Sequence, residues 1–424
     1  MSPALRSGAD VLLGRMRSPD NVAGEHMTPY LRAANVADGE LRLDDIKAMN
    51  FTPSEQARYA LEPGDVLVTE GSGSRATVGA TAPWPGSPSP MMFQNTLLRL
   101  RARRHVEPRF LSWWSRHAFG SGLYAFASQG LAIWHLSAER ARALPFEAPD
   151  RATQRRIADF LDGQVSRIDN AIALRQREQS LVREQRDAVI KSIVSGETHG
   201  ELVPTELPWL DQLPMHWTSP KITYAARLGS GHTPSRSRPE WWVNCDIPWI
   251  TTGEVGALRD DNVEEITETR EKLSRLGIEN SSAEIHPAGT VVLSRTASAG
   301  YSGVMAADMC TSQDFVTWTC EPRLDPYWLL WCLRAMRSDL LGRLAMGSTF
   351  KTIYVPDIQT LRIPLPPVVE QNEGVAEIRR AVEAAKHRTK LINRGIALLE
   401  ERKRALITAA VTGQFDVTTA RAVA

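Results

Sequence analysis

The chain has 424 residues, of which 42% are hydrophobic and 23% are charged, and its formal net charge is +1. This length exceeds one ordinary core and predicts two or three domains, while the composition is that of a globular protein. No segment approaches the roughly 18 apolar residues of a membrane helix, and the N-terminal segment lacks the apolar core of a signal peptide, so we expect a cytoplasmic protein. The net charge neither requires nor excludes nucleic acid, because binding depends on where Lys and Arg lie.

Residues 1–149 combine short β-branched runs with turn residues and helical stretches. The run Gly64-Asp65-Val66-Leu67-Val68 is typical of a buried strand, and an apolar helical stretch follows Pro108. Pro145 and Pro149 mark the end of this segment, since proline interrupts hydrogen-bonded ladders and starts helices well. We predict a mixed α/β domain over residues 1–149.

A long helix is predicted for residues 150–198. Its apolar positions step alternately by four and three, which is the heptad seam of a helix packed lengthwise on another helix. The seam residues are Leu161, Val165, Ile168, Ile172, Val182, Val189 and Ile193. Polar residues interrupt the seam at Arg175, Gln179 and Arg186, which suits a partner helix in the same chain better than a homodimeric zipper. Gly196 is the expected C-terminal cap.

Residues 199–367 repeat the first domain with small gaps, which predicts a second mixed α/β domain. The matched segments are Pro29-Tyr30-Leu31 with Pro248-Trp249-Ile250, Gly64-Asp65-Val66-Leu67-Val68 with Gly289-Thr290-Val291-Val292-Leu293, Phe93-Gln94-Asn95 with Ser312-Gln313-Asp314, and Glu107-Pro108-Arg109-Phe110 with Asp325-Pro326-Tyr327-Trp328. Four cysteines fall in this segment without a CxxC spacing, which predicts buried thiols and neither a disulfide framework nor a zinc site. They are Cys245, Cys310, Cys320 and Cys332.

A second long helix is predicted for residues 368–415 and is a copy of the first. Gln154 pairs with Gln371 at an offset of 217 residues, and this register holds without a gap to Gly196 and Gly413. Lys403 interrupts the second seam, which again ends at a glycine cap. The apolar seam residues are Ile378, Val382, Ile392, Ile396, Leu399 and Leu406, with the smaller Ala385, Thr389 and Ala410 between them. Each seam needs a partner, and the other copy supplies one.

Three kinds of catalytic site are missing from the sequence. The nearest approach to the base-holding loop of a DNA methyltransferase is Asp325-Pro326-Tyr327-Trp328, but its copy at 107–110 keeps no such pattern, and a helix start with an acidic cap explains both. The carboxylates Asp65 and Glu70 correspond to Thr290 and Arg295, which excludes a duplicated nuclease site. The glycine-rich segment 71–75 lacks the lysine of a nucleotide-binding loop. We therefore expect no catalytic residue and no bound metal.

Several loops carry side chains that could contact DNA. Phosphates are bound by Arg, Lys and hydroxyls, and base edges are read by Arg, Lys, Asn, Gln or Ser on segments that reach a groove. An ordinary solvated turn is the alternative for each loop. The candidates in the first domain are Ser72, Ser74, Arg75, Arg99, Arg101, Arg103, Gln129 and His135. The candidates in the second are Thr233, Ser235, Arg236, Arg238, Arg295, Thr296, Ser298, Ser348, Thr349 and Lys351.

Several short motifs follow one another along the chain. Those in the second half are Leu213-Pro214-x-x-Trp217, Asp246-Ile247-Pro248-Trp249-Ile250, Gly347-Ser348-Thr349-Phe350, Ile363-Pro364-Leu365-Pro366-Pro367 and Val411-Thr412-Gly413. The first half carries Pro63-Gly64-Asp65-Val66-Leu67 and Phe93-Gln94-Asn95, but it has no counterpart of Leu213-Pro214-x-x-Trp217. Taken in this order, the motifs resemble those of the specificity subunits of type I restriction-modification systems.

The resemblance implies an α+β fold in which two target-recognition domains, 1–149 and 199–367, are held apart by two antiparallel coiled-coil helices, 150–198 and 368–415, with internal pseudo-twofold symmetry. Each domain would read one half of a bipartite, asymmetric site in double-stranded DNA. The helices would set the spacing and dock two methyltransferase subunits, while restriction subunits translocate and cleave. S-adenosylmethionine, ATP and Mg would all be bound by partner subunits.

Two alternatives from other functional classes stay open on the sequence. One is a self-sufficient DNA methyltransferase or restriction enzyme, for which binding of S-adenosylmethionine by the isolated chain is the discriminating test. The other is a coiled-coil scaffold whose domains bind something other than DNA. Salt-dependent DNA binding separates that scaffold from a specificity subunit, because phosphate contacts release counterions.

Overall fold

The computed structural model describes residues 3–296, 298–345 and 351–417. The chain forms two compact units. Unit 1 contains Met1–Arg175 and Arg394–Ala424, and unit 2 contains Gln176–Asn393. Each unit therefore combines one α/β region with a segment of each long helix. Among the described residues, no helix has the length and hydropathy to span a membrane.

Unit 1 holds eleven described strands, most of them short. They are β1 (Ala9–Leu13), β2 (Met27–Leu31), β3 (Val36–Ala37), β4 (Glu40–Leu41), β5 (Lys47–Asn50), β6 (Val66–Thr69), β7 (Gly71–Ser72), β8 (Thr81–Pro83), β9 (Met92–Phe93), β10 (Leu97–Ala102) and β11 (Trp134–His135). Its principal sheet has the order β1-β10-β6-β8, and a second sheet has the order β5-β2-β9. All four residues of β6 are buried, as a continuous β-branched and apolar run predicts for an internal strand.

Short helices connect these strands and cover the principal sheet. They are α1 (Leu5–Gly8), α2 (Pro53–Tyr59), α3 (Pro108–Gly120), α4 (Leu123–Ala127) and α5 (Ala138–Ala143). α3 begins at Pro108, whose fixed φ suits a first helical turn. The aromatic rings of Trp114 and Phe146 meet edge to face with centroids 5.1 Å apart in the core of unit 1.

Unit 2 repeats this architecture. Its strands are β12 (Leu202–Pro204), β13 (Gln212–Pro214), β14 (Ala226–Ser230), β15 (Ile247–Ile250), β16 (Glu265–Ile266), β17 (Glu271–Leu273), β18 (Val291–Ser294), β19 (Ser302–Met305), β20 (Cys310–Thr311) and β21 (Phe315–Cys320). The orders are β14-β21-β18-β19-β16 and β17-β15-β20. Strand by strand, β14, β21, β18 and β19 correspond to β1, β10, β6 and β8.

The remaining helices of unit 2 are also short. They are α7 (Val255–Leu258), α8 (Arg275–Glu279), α9 (Pro326–Ala335), α10 (Arg337–Asp339) and α11 (Val355–Ile358). A π-helical turn at Leu340–Leu344 lies between α10 and α11. The expected acidic cap is present at α9, where the Asp325 carboxylate accepts from the N–H groups of Tyr327 and Trp328. In unit 1 that prediction is wrong: Glu107 makes no capping bond, because its carboxylate pairs with Arg155 at 3.2 Å.

One sequence match between the domains is wrong by a residue. Gln94 donates its backbone N–H to Leu31, and Ser312 donates its own to Ile250, each at 2.9 Å. The equivalent of Gln94 is therefore Ser312, not Gln313. The glutamines suggested the other match, but backbone pairing fixes strand register independently of side-chain identity.

The two long helices are α6 (Arg151–Ser195) and α12 (Val368–Val411). Within each unit their segments run antiparallel. In unit 1 the rings of Phe160 and Phe415 lie 5.5 Å apart, and Lys403 reaches Asp169 at 2.7 Å. In unit 2 Gln179 donates to Asn393 at 3.0 Å. These contacts and the duplicated sheets confirm the predicted fold class.

The apolar seam residues named from the sequence are all buried or half-buried. Gly196 and Gly413 follow the helices with φ of +69° and +73°, which confirms both glycine caps. Ile157, Ile190 and Ile407 are buried as well and were not among the predicted seam residues.

A buried glutamine joins each domain to its helix. In unit 1 the Oε1 atom of Gln154 accepts the Glu107 N–H at 2.8 Å, and its Nε2 donates to the carbonyls of His105 and Pro149 at 3.2 and 2.7 Å. Gln371 repeats this pattern in unit 2, accepting from Asp325 and donating to Arg323 and Pro366. These glutamines satisfy backbone groups that burial would otherwise leave unpaired.

Candidate nucleic-acid interface

The loops of unit 1 that carry polar residues leave its principal sheet at one end. β1 ends at Leu13 opposite Leu98, and β6 ends at Thr69 opposite Leu97, near the start of β10. The segments that follow β1 and β6 therefore emerge side by side. We call this the loop end of unit 1. Gln154 binds His105 beyond the other end of β10, so the helix junction lies at the opposite end of the sheet.

The first segment at the loop end is 71–77, and its own hydroxyl groups shape it. The Oγ of Ser72 lies 2.6 Å from the Oγ1 of Thr77, and the Oγ of Ser74 accepts the Ala76 N–H at 3.2 Å. Such local bonds stabilise a turn without a hydrophobic core of its own. Ser74 and Arg75 consequently lie exposed.

The second segment, 129–135, packs beside the first. β11 pairs with β7, and the Leu136 N–H donates to the Glu70 carbonyl at 2.7 Å. The guanidinium of Arg75 lies 5.1 Å from the centre of the Trp134 indole. The structure therefore brings together five predicted residues of unit 1. They are Ser72, Ser74, Arg75, Gln129 and His135.

The tip of segment 129–135 is apolar, which the sequence predictions missed. Leu131 is fully exposed and Ile133 is 54% exposed. The available signal was a Leu-Ala-Ile run directly after Gly130, where a solvated turn would carry polar residues. Apolar side chains at such a position can contact thymine methyl groups or enter a base step.

A small basic depression near the end of β1 was also missed. Its volume is about 270 Å³, and its lining includes Arg17, Arg32, Lys47 and Gln94. Lys47 and Arg32 both contact Asp45, at 2.7 and 2.5 Å, and these partners lower the pKa of the Asp45 carboxyl. The internal repeat could have predicted this depression, because residues 14–17 correspond to the loop that begins at Gly231, which was a candidate for DNA contact.

Arg99 and Arg101 make structural contacts within unit 1. Arg99 is 5% exposed; it donates to the carbonyls of Arg58 and Ala60, and burial lowers its pKa. Arg101 forms a two-pronged pair with the buried carboxylate of Asp65 at 2.8 and 2.7 Å, which raises the pKa of Arg101. Since β-strand side chains alternate between faces, an Arg-x-Arg run on one strand places both on the same face, here over the 58–65 segment.

Arg103 is exposed, but the structure does not bring it to the loop end. It follows Ala102, the last residue of β10, whereas the loop end lies beside Leu97 at the start of that strand. At about 3.3 Å per residue the two positions are separated by roughly 20 Å.

Unit 2 has an equivalent loop end. β14 ends at Ser230 opposite Val316, and β18 ends at Ser294 opposite Phe315. The Ile353 N–H donates to the Arg295 carbonyl at 2.8 Å, which repeats the bond between Leu136 and Glu70 in unit 1. The predicted residues of unit 2 are thus carried on segments that leave the same end of their sheet.

Gln313 connects two of these segments. Thr233 donates its hydroxyl to the Oε1 of Gln313 at 2.6 Å, and the Nε of Arg295 donates to the Gln313 carbonyl at 3.0 Å. Thr296 is bonded to the Asp314 carboxylate, and the Ser298 N–H donates to the Thr296 carbonyl. Thr233, Arg295, Thr296 and Ser298 are therefore brought together. Gln313 was not among the predicted site residues.

The segment 235–238 forms a neighbouring exposed surface. The Arg236 guanidinium lies 4.0 Å from the centre of the Trp242 indole and donates to Glu271 at 2.6 Å. Ser235 and Ser237 share a hydrogen bond, and Arg238 lies 3.8 Å from Glu240. Arg236 and Arg238 keep more than half of their side-chain surface exposed, so both can reach a ligand.

Lys351 is exposed and donates to the Leu341 carbonyl at 3.4 Å. The other two predicted residues of this segment, Ser348 and Thr349, lie outside the described residues.

No metal site is formed within the described parts of the chain, where no group of three or more His, Cys, Asp or Glu side chains is arranged to hold an ion. All four cysteines are free thiols. Cys310 and Cys332 are buried, whereas Cys245 and Cys320 are half-buried, so the prediction of buried thiols holds for two of the four. Burial raises the pKa of Cys310 and of Cys320 to about 12.

Comparison with known proteins identifies similar chains. Residues 216–394 match the family model of the type I restriction modification DNA specificity domain. The type I restriction enzyme MjaIX specificity subunit of Methanocaldococcus jannaschii is 26% identical over 39% of this chain, and the match spans only 37% of that relative. The EcoKI specificity subunit of Escherichia coli K12 is 21% identical over 93% of this chain and 84% of its own length.

A solved structure shows the same fold over nearly the whole chain. It comes from work on complex assembly and conformational transition of the type I R-M system, and the match covers 98% of both chains with a TM-score of 0.72 at 18% identity. The family-model match and the named relatives confirm the resemblance stated from the sequence motifs, and the solved structure agrees with them in fold.

Proposed function

Because residues 216–394 match the type I restriction modification DNA specificity domain, we propose that the chain is a specificity subunit of such a system, a non-catalytic subunit that selects the DNA sequence on which the complex acts. Each unit reads one half of a bipartite, asymmetric site in double-stranded DNA. The target-recognition domains are residues 1–149 and 199–367, and the spacer helices are residues 150–198 and 368–415.

One observation carries this proposal: the two units share a strand order but present different side chains at the same end of the sheet. In unit 1 the loop end offers Arg75 on Trp134, with Gln129 and the apolar Leu131 close by. In unit 2 it offers Thr233, which is hydrogen-bonded to Gln313, and Arg236, whose guanidinium lies over the Trp242 indole. A shared scaffold with unlike loops suits the reading of two different half-sites.

The exposed cations and amides are the side chains proposed to contact DNA. Arg75, Arg236 and Arg238 suit phosphates or guanine, and Gln129 suits adenine. Ser72, Ser74, Thr233 and Ser235 can add hydroxyl contacts, and the Lys351 ammonium group can donate to phosphate oxygens.

The long helices are proposed to set the distance between half-sites and to dock two methyltransferase subunits. Leu174 and Leu181 on α6 are 68% and 54% exposed, and their register equivalents Leu391 and Leu398 on α12 are 55% and 57% exposed. Repeated exposed leucines give two copies of one partner the same apolar contact. Those subunits would bind S-adenosylmethionine, and restriction subunits would supply the chemistry that needs ATP and Mg.

Selection from a random duplex library tests the function. The full chain, alone and with its methyltransferase partner, is incubated with the library, and the bound fraction is sequenced. We expect enrichment of two short motifs at a fixed spacing. If no motif is enriched either by the chain alone or by the chain with its partner, the proposal is contradicted.

A further inference from the structure

A basic cavity lies along the paired long helices of unit 2. Its volume is about 640 Å³, and its walls come from α6, from α12 and from residues 259–262, which follow α7. Among the described residues that line it, five are cations and one, Asp260, is a carboxylate. The cations are Arg183, Arg186, Arg259, Lys386 and Lys390. The walls therefore carry a strong positive charge.

Three of these cations are uncompensated. Arg186 and Lys386 each have a neighbouring carboxylate outside the lining. Within the part of the chain that the structure describes, Arg183, Arg259 and Lys390 are exposed and form no ion pair. Like charges gathered on neighbouring surface positions repel each other. A bound anion would relieve that repulsion.

The equivalent helix positions of unit 1 carry little net charge. The 217-residue register pairs Arg183, Arg186, Lys386 and Lys390 of unit 2 with Glu400, Lys403, Asp169 and Ala173 of unit 1. In unit 1 the Lys403 ammonium and the Asp169 carboxylate form an ion pair at 2.7 Å. Four cations of one unit thus correspond to one cation, two carboxylates and an alanine in the other. Helix packing does not require the positive charge, because the same helix pair forms without it.

Contacts inside unit 2 connect the cavity to the loop end. Arg186 donates to the Asp260 carbonyl at 2.9 Å, and the carboxylate of the following residue accepts from Arg337 at 2.8 and 2.6 Å. Arg337 also donates to the Gly300 carbonyl at 2.8 Å. The Gly300 N–H in turn donates to the carbonyl of Ser294, the last residue of β18. The wall of the cavity is therefore joined to the strand end from which the candidate DNA-contacting loops emerge.

The chemistry of the lining favours a DNA backbone over an acidic protein segment. Besides the cations, Gln179, Asn393 and Thr389 supply amide and hydroxyl groups. Side chains of these types make the phosphate contacts of protein–DNA complexes. The core of a protein interface is instead apolar and aromatic and is depleted of lysine. Among the described residues, the apolar lining is limited to Val182 and Ala385.

We propose that this basic cavity binds the phosphate backbone of the DNA whose bases are read at the loop end of unit 2, so that the long helices themselves contact DNA. This contact presupposes that unit 2 recognises DNA, as the proposed function requires. It holds the duplex in place without reading its sequence. Because unit 1 carries Glu400 and Asp169 at the equivalent positions, its helix pair makes no such contact.

Neutralising one cavity cation on each helix tests the site. The variant Arg183→Gln with Lys390→Gln is assembled with the methyltransferase partner, and its affinity for one arbitrary DNA duplex is measured over a range of salt concentrations. We expect the slope of log affinity against log salt to fall in magnitude by about two, and affinity near about 0.1 M salt to fall roughly tenfold or more. Library selection with this variant should still enrich both motifs at the wild-type spacing.

The pair Lys191→Gln with Arg380→Gln is the matched control, because it removes one exposed cation from each helix outside this cavity. It should leave the slope unchanged. An unchanged slope in the cavity variant, or an equal change in the control, would overturn the proposal. Failure of the cavity variant to assemble in the absence of DNA would assign the cavity to an acidic segment of the partner and would overturn it as well. A wild-type complex that binds the duplex but enriches no motif contradicts the proposed function alone, since the salt slopes still decide whether the cavity binds phosphates.

Discussion

Gln154 and Gln371 show how a single side chain can fasten a domain to a helix. Each is buried and uses its amide to satisfy three backbone groups that belong to different segments of its unit. Removing the amide leaves those groups without partners, at a cost on the order of 3 kcal/mol.

We predict that Gln154→Ala speeds hydrogen exchange at the Glu107 amide by about a hundredfold, because the N–H loses its acceptor. Gln371→Ala should act in the same way on Asp325 and leave Glu107 unchanged. Gln176→Ala, at an exposed position on the same helix as Gln154, should change neither amide. Equal protection of Glu107 in the wild-type chain and in Gln154→Ala would contradict this interpretation.

Arg101 and Arg75 separate structural cations from cations that can bind DNA. Arg101→Leu leaves the Asp65 carboxylate buried without its partner, so we expect a loss of about 3–5 kcal/mol in unfolding free energy. The salt dependence of DNA binding by the assembled complex should not change. Arg75→Ala should instead lower the slope of log affinity against log salt by about one while stability stays nearly constant. A reduced slope of log affinity against log salt in Arg101→Leu would show that Arg101 contacts DNA.

The contrast between Arg75 and Arg101 also shows which site residues could be predicted from the sequence. Ser74, Arg75 and Gln129 lie in turns whose composition already indicated exposure, and the structure places them together. Arg99 and Arg101 looked like a basic surface run, but strand alternation cannot reveal which face a neighbouring segment covers. Leu131 escaped notice because its exposure depends on tertiary context, which composition does not contain.

At the scale of elements, periodicity predicted the long helices well. The residues predicted from the four-three spacing are buried or half-buried, and the glycines follow both helices. Short strands were harder: the match of Gln94 to Gln313 failed by one residue, since side-chain similarity does not determine backbone pairing. The entry hairpin β12–β13 of unit 2 was likewise visible only as a motif around Trp217.

We predict that deleting one heptad from both long helices shortens the spacing between the two recognised motifs. Removing residues 172–178 and 395–401 keeps each seam in register and shortens each helix by roughly 10 Å, about the length of three base pairs. Library selection with the assembled complex would measure the new spacing. Deleting three residues from each helix instead should disrupt the seams and abolish assembly. An unchanged spacing in an intact heptad-deleted complex would contradict a spacing role for the helices.

At the scale of the whole molecule, the account rests on duplication followed by divergence. The two units share the order of four sheet strands, the helix junction and the glycine caps, and they differ at their loop ends. Conserved framework with variable loops is the division that two-part recognition requires. The bases that each unit reads depend on how its loops enter a groove.

The most direct test of the central claim is library selection with paired loop variants of the assembled complex. Arg75→Ala with Gln129→Ala alters only the loop end of unit 1, and Arg236→Ala with Thr233→Ala alters only that of unit 2. The account predicts that each pair degrades one of the two enriched motifs and leaves the other motif and the spacing intact. Loss of both motifs with either pair in a stably assembled complex, or of neither, would contradict it.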